Sequence, residues 1–334
     1  VKAVCFERFG DPADVLQAAE RPIPTPGPGQ VRIRMLMSPV NPSDLSTVRG
    51  VYSKIPSLPA FPGYEGVGVV DAAGPGLLGR LLLGRRAAFL SAEGGAWSEY
   101  VVVPARQAAP VSKRLPVEQA AMFFVNPMTA YCLTREVLKV PAGEWLLQTA
   151  AGAAVGRMIL RLARRYGFRT INVVRRRELA DELRSLGAQE VIVADGRSDE
   201  DELTARVREV AKGGVRYALD CVSGALGSQI VRCLAPQGRL VVYGAMSQQP
   251  LVFSSRDLMT PGSRVEGFWL GNYLANQRLI AKLRIVRTVG RLVRDGVLVS
   301  DVGRTHPLDE VKQAVMEAQR EGRRGKVLLQ IARD

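Results

Sequence analysis

The chain has 334 residues, 47% of them hydrophobic and 23% charged, an ordinary globular composition and enough length for two domains with separate cores. No uncharged apolar run reaches the ~18 residues that a membrane-spanning helix needs, and the opening Val1-Lys2-Ala3-Val4-Cys5 lacks the look of a secretory signal or a transit peptide. The net charge of +14 would concentrate polyanions of any kind, and an Arg-rich or heat-adapted surface gives the same figure, so charge selects no function.

Up to about Leu115 the chain is rich in short β-patterned runs, at Val31–Met37, Gly66–Val70, Ala87–Leu90 and Trp97–Val103. Pro22, Pro24, Pro26-Gly27-Pro28-Gly29, Pro56 and Pro59 punctuate them, which predicts an irregular β module with little helix. From Glu118 strands at 145–150, 170–174, 190–194, 216–222 and 239–243 alternate with helices at 156–166, 178–186, 201–212 and 227–235. That alternation predicts a doubly wound parallel sheet. Arg264–Leu270 reads as one more strand and Asn276–Arg294 as a basic amphipathic helix. Lys326–Ile331 reads as a closing strand that returns to the first module.

Trp145–Arg177 carries the most chemistry. A short apolar strand runs into Ala151-Gly152-Ala153-Ala154-Val155-Gly156, a turn with almost no side-chain bulk that opens a helix. Backbone N–H groups there can approach a pyrophosphate, and the helix dipole favours its charge. Ala150, Ala153 and Ala154 stand where many such turns carry glycine. The next strand, Thr170–Val174, ends in Arg175-Arg176-Arg177. An NAD site would usually set an acidic residue here against the ribose 2′-hydroxyl, whereas guanidinium groups suit a 2′-phosphate, so the expected cofactor is NADPH.

The four cysteines, Cys5, Cys132, Cys221 and Cys233, show no metal spacing and read as buried free thiols of a reducing compartment. The single histidine, His306, cannot build a tetrahedral N/S site alone and reads as a surface or turn residue. No bound metal and no zinc are expected.

A β module first, a dinucleotide-binding domain second and a tail completing the first is an organisation that resembles the medium-chain dehydrogenase/reductase superfamily over the full length. The resemblance implies an α/β fold: a GroES-like β-rich catalytic domain over 1–117, completed by 297–334, and a Rossmann domain over 118–296. Zinc members need a Cys and a His-Glu pair; the matching positions hold Asn41 and Tyr64, in Asn41-Pro42-Ser43-Asp44 and Gly63-Tyr64-Glu65. Zinc-free members reduce activated C=C bonds or quinones.

Within that branch, Arg49-Gly50-Val51-Tyr52, Val125-Asn126-Pro127-Met128, Tyr243-Gly244-Ala245-Met246, Phe268-Trp269-Leu270 and Asn172-Val173-Val174-Arg175 look like the trans-2-enoyl-CoA/ACP (2-enoyl thioester) reductases of fatty acid biosynthesis. The resemblance gives Tyr52 the role of proton donor to the substrate α-carbon. It assigns cofactor contacts to Asn126, to Gly152, Ala153, Ala154 and Val155, and to Arg175, Arg176 and Arg177. Tyr243, Gly244, Ala245, Met246, Phe268, Trp269 and Leu270 complete that set, with Lys326, which reads equally as an exposed strand-end lysine.

NADPH:quinone oxidoreductase is the near alternative. A catalytically silent nucleic-acid-binding or crystallin-like protein is the distant one, supported only by the 276–294 helix, where no aromatic residues interleave the charges. The expected partners are a small-molecule thioester or quinone and a second copy in a homodimer, with no nucleic acid and no membrane. The expected location is the cytoplasm, or the mitochondrial matrix if a transit peptide preceded Val1.

Overall fold

The structure is a computed structural model that describes residues 1–52, 54–196 and 200–332. The chain divides into two compact units, Val1–Asn126 with Val299–Asp334, and Pro127–Leu298. The first division falls after Asn126 rather than 117 because the Val117–Ala121 helix packs on strands Gln30–Pro39 and Glu65–Ala73 of the first unit.

The first unit is built on a seven-stranded sheet. Its order is Val302–Pro307, Lys326–Gln330, Gln30–Pro39, Glu65–Ala73, Arg86–Leu90 and Ala108–Pro110, with Tyr100–Pro104 paired to the central Gln30–Pro39. All neighbours are antiparallel except the first pair. Along Gln30–Pro39, Val31, Ile33 and Met35 alternate inward and meet Val4, Phe6, Phe89 and Trp97, as period-two patterning requires of a half-buried strand. The tail closes this sheet by pairing Leu328 with Pro39.

The second unit holds six strands, all parallel, in the sequence order 3-2-1-4-5-6. In space these run Glu190–Val193, Arg169–Val174, Trp145–Gln148, Val215–Asp220, Leu234–Val242 and Arg264–Gly267. Helices Ala154–Tyr166, Glu178–Ser185, Glu200–Val210 and Gly224–Arg232 connect them. This is the Rossmann order, with its reversal between the first and fourth strands.

Several details correct the sequence reading. The last parallel strand stops at Gly267, because Trp269 leads into a separate helix, Leu270–Ala275. The basic helix therefore begins at Leu279. The run at 97–103 becomes a strand only at Tyr100–Pro104, since Trp97 is buried in the core and its indole donates to the Pro39 carbonyl. His306 is not a surface or turn residue. It lies buried on Val302–Pro307 with its ring nitrogens facing Glu310 and Glu317 at 3.4 and 3.1 Å. All four cysteines are buried and unbridged. No helix among the described residues is long and apolar enough to cross a membrane.

Candidate active site

In the second unit the expected cofactor residues share one structural position: each group follows the carboxyl end of a parallel strand. Gly152, Ala153, Ala154 and Val155 follow Trp145–Gln148, and Arg175, Arg176 and Arg177 follow Arg169–Val174. Tyr243, Gly244, Ala245 and Met246 follow Leu234–Val242, and Phe268, Trp269 and Leu270 follow Arg264–Gly267. Carboxyl ends at a topological switch are where such sheets bind ligands.

Backbone bonds knit these turns together. Ala151 N donates to Val173 O, Tyr243 N to Asp220 O, Met246 N to Cys221 O and Phe268 N to Val242 O. Gly156 lets the 154–166 helix approach the turn, since a Cβ there would lie 2.5 Å from the Ala151 carbonyl oxygen. The three arginines are exposed at the strand end.

Sequence reading missed the side chains that stiffen this edge. Arg157, one turn into the helix, donates through Nε to the Gly152 carbonyl at 2.8 Å and pairs with Glu182 at 2.8 Å, fixing the phosphate turn. At the switch point Thr149 Oγ1 donates to the buried Asp220 carboxylate at 2.6 Å. Asp220 also accepts the N–H groups of Val222 and Ser223 at 3.0 and 2.9 Å. The Tyr243 phenol bonds with the Cys221 thiol, which burial pushes up to about 11, so that thiol stays protonated and unreactive.

Tyr52, Asn126 and Lys326 lie in the first unit. Here a buried charge cluster, unseen in the sequence, does the organising. Glu65 is buried and accepts N–H bonds from Phe124 and Val125 at 3.0 and 2.8 Å and from Asn41 Nδ2 at 2.9 Å. It thereby caps the Val125–Tyr131 helix and sets Asn126, whose Nδ2 is buried without a partner among the described residues.

Lys326 is buried as well, so the exposed strand-end reading falls. Burial lowers it to about 8, against the pull of Glu65 and Asp44, whose negative charges favour its protonated form. Asp44, fully buried, is lifted to about 7 by burial, although the Asn41 N–H and the Lys326 charge both oppose the rise. Its two oxygens accept Asn41 N at 2.7 Å and Tyr64 N at 3.1 Å. Only the first of these had a local signal: Asn41-x-x-Asp44 is a capping-box spacing that starts the Pro42–Val48 helix.

Tyr52 follows that helix, after a turn in which Gly50 takes a φ of +75° under the Phe9 ring and Val51 N bonds Ser46 O. It is half-buried, with its ring 5.7 Å from that of Tyr64. The positions at which the resemblance would set zinc ligands do not fit a zinc ion here. Asn41 turns its Nδ2 to Glu65, and the Tyr64 phenol is bonded to Thr47 and pushed up to about 12 by burial. Among the described residues no group of three or more His, Cys, Asp or Glu side chains could hold a metal.

Comparison with known proteins agrees with this architecture. Residues 27–113 match the alcohol dehydrogenase GroES-like domain, and residues 154–286 match the zinc-binding dehydrogenase family. The mitochondrial enoyl-[acyl-carrier-protein] reductase of Schizosaccharomyces pombe is 32% identical over 89% of this chain and 84% of its own length. Among solved structures, Escherichia coli quinone oxidoreductase complexed with NADPH superposes with a TM-score of 0.90 at 25% identity, covering 99% of this chain and 100% of its own. An Etr1p complex with NADP and crotonyl-CoA gives 0.85 at 26% identity, covering 99% of both chains.

Proposed function

This chain belongs to the medium-chain dehydrogenase/reductase superfamily of oxidoreductases, and we propose that within it the protein is an NADPH-dependent, zinc-independent reductase of trans-2-enoyl thioesters. When bound, NADPH would supply a hydride from its nicotinamide C4 to the β-carbon of the enoyl group. The residues present fit that cofactor. The N-terminus of the 154–166 helix, with Gly152, Ala154 and Val155, offers backbone N–H groups to a pyrophosphate, while Ala153 shapes the turn by donating its N–H to Ala150 O at 2.8 Å. Arg175, Arg176 and Arg177 match a 2′-phosphate, and Asn126 Nδ2 is a buried donor with no acceptor among the described residues. Tyr243–Met246 and Phe268–Leu270 form the remaining strand-end wall. The Lys326 charge favours the ionised form of Glu65, which fixes the segment carrying Asn126.

Hydride addition at the β-carbon moves negative charge onto the thioester carbonyl, and the α-carbon must then gain a proton. We assign that proton to Tyr52, whose phenol can donate it or hold the enolate oxygen by a hydrogen bond. The observation that carries the reading is this half-buried tyrosine, fixed at the end of the 42–48 helix in a chain 32% identical to an enoyl reductase. The likeness to Escherichia coli quinone oxidoreductase favours a second reading, quinone reduction.

Tyr52→Phe tests the assignment. It keeps the ring and should leave folding and NADPH binding intact while lowering kcat for enoyl thioesters about 10²–10³-fold, the cost of one oxyanion donor. A variant that keeps more than roughly half of kcat would show that Tyr52 only packs.

A further inference from the structure

We propose that Tyr64 is a positioning residue for Tyr52: its phenol, anchored on Thr47, is the fixed post against which the Tyr52 ring is set. The inference rests on the assignment of Tyr52 as proton donor.

Tyr64 is held at three points. Its N–H donates to Asp44 Oδ1 at 3.1 Å, its carbonyl accepts Ser91 N at 2.7 Å, and its hydroxyl lies 2.7 Å from Thr47 Oγ1. Asp44 and Thr47 both belong to the Pro42–Val48 helix, so one rigid element grips Tyr64 by backbone and by ring. The same helix leads directly into Tyr52, through the bonds Gly50 N to Thr47 O and Val51 N to Ser46 O. Beyond Val51 the backbone has no helix or strand among the described residues before the bridge at Ala60. The Tyr52 ring meets the Tyr64 ring at 5.7 Å with a tilt of 38°, inside the range where aromatic pairs attract.

The direction of the hydrogen bonds decides what Tyr64 can do. A threonine hydroxyl has one proton, and that of Thr47 goes to the Ser43 carbonyl at 2.9 Å. In the Thr47–Tyr64 contact the tyrosine is therefore the donor. The chain runs from Tyr64 through Thr47 and ends on a carbonyl, which has no proton to pass back. It cannot feed a proton to Tyr52, so it works by orientation. Displacing an acid from its reacting carbon by about 1 Å can cost about 10²-fold in rate, which is the scale on which such a post matters.

The test is a double-mutant comparison of kcat with an enoyl-CoA ester, with melting temperature and NADPH KM followed in every variant. Tyr64→Ala should lower kcat about 10–100-fold and leave the NADPH KM near wild type. Thr47→Val, which removes only the anchoring hydroxyl, should lower it less, and Thr47→Ser should restore it. In the Tyr52→Phe background neither change should lower kcat further, because no acid remains to be placed. An equal fold-loss in both backgrounds, or full kcat in Tyr64→Ala, overturns the proposal. If Tyr64→Ala does not fold, the Thr47→Val comparison decides in the same way. If Tyr52→Phe alone retains its rate, the assignment of Tyr52 has failed instead, and the two failures are told apart.

Discussion

The two units solve the problem of holding charge in opposite ways. In the first, Asp44 and Glu65 are buried and hydrogen-bonded, Lys326 is buried with them, and the residues proposed to act, Tyr52 and Asn126, lean on that interior scaffold. In the second, Arg175, Arg176 and Arg177 stand exposed at a strand end, and the phosphate turn is set by backbone and by one arginine, Arg157. A buried ion cluster makes position part of stability, because no member can leave without stranding another. An exposed cluster keeps binding and stability separate.

Substituting one cation in each unit would sharpen the contrast. Lys326→Met should destabilise the protein by about 1–3 kcal/mol, since it removes the positive charge that favours the ionised forms of the buried Glu65 and Asp44 carboxyls. Urea unfolding measures this, and a loss below about 1 kcal/mol would mean that the cluster is not holding the unit.

Arg175→Ala with Arg177→Ala should leave stability within about 0.5 kcal/mol. NADPH affinity should nevertheless weaken by at least about tenfold, with NADH little changed, because the lost contacts are charge-assisted bonds to the 2′-phosphate. Equal weakening of both cofactors would break the comparison and make these arginines structural.

The buried unit should also be the pH-sensitive one. Asp44 rises from 3.8 in the unfolded chain to about 7 when folded. Between these values the folded state keeps a proton that the unfolded state has released, so stability falls as pH rises through that window, by up to about 1.4 kcal/mol per pH unit. Asp44→Asn should flatten the slope in urea titrations at pH 4.5 and 7; an unchanged slope would assign it to other groups.

The smallest effect expected is that of a strong chelator. With Asn41 and Tyr64 at the would-be ligand positions, dialysis should change neither activity nor melting temperature, and loss of stoichiometric zinc together with activity would contradict this.

The same difference between the units explains what the sequence disclosed. The second unit's site is written locally: a strand, a small-residue turn, a helix and three arginines lie within one stretch, and alternating elements announce a parallel sheet. Arg157 was hidden because its bond to Gly152 depends on how the helix leaves the turn. In the first unit, the Asn41–Asp44 helix start, Glu65 and Lys326 meet only after three distant segments have come together, and no periodicity reports such a meeting. His306 was misread for the same reason: its carboxylate partners lie on the 311–319 helix and the short turn before it, which pack back over its strand.

The central claim, reduction of an activated C=C bond in a thioester, is tested most directly by following NADPH oxidation with trans-2-enoyl-CoA esters and with quinones side by side, in one preparation. Turnover of the enoyl thioesters with saturated acyl product is the result expected. Turnover of quinones alone would contradict it.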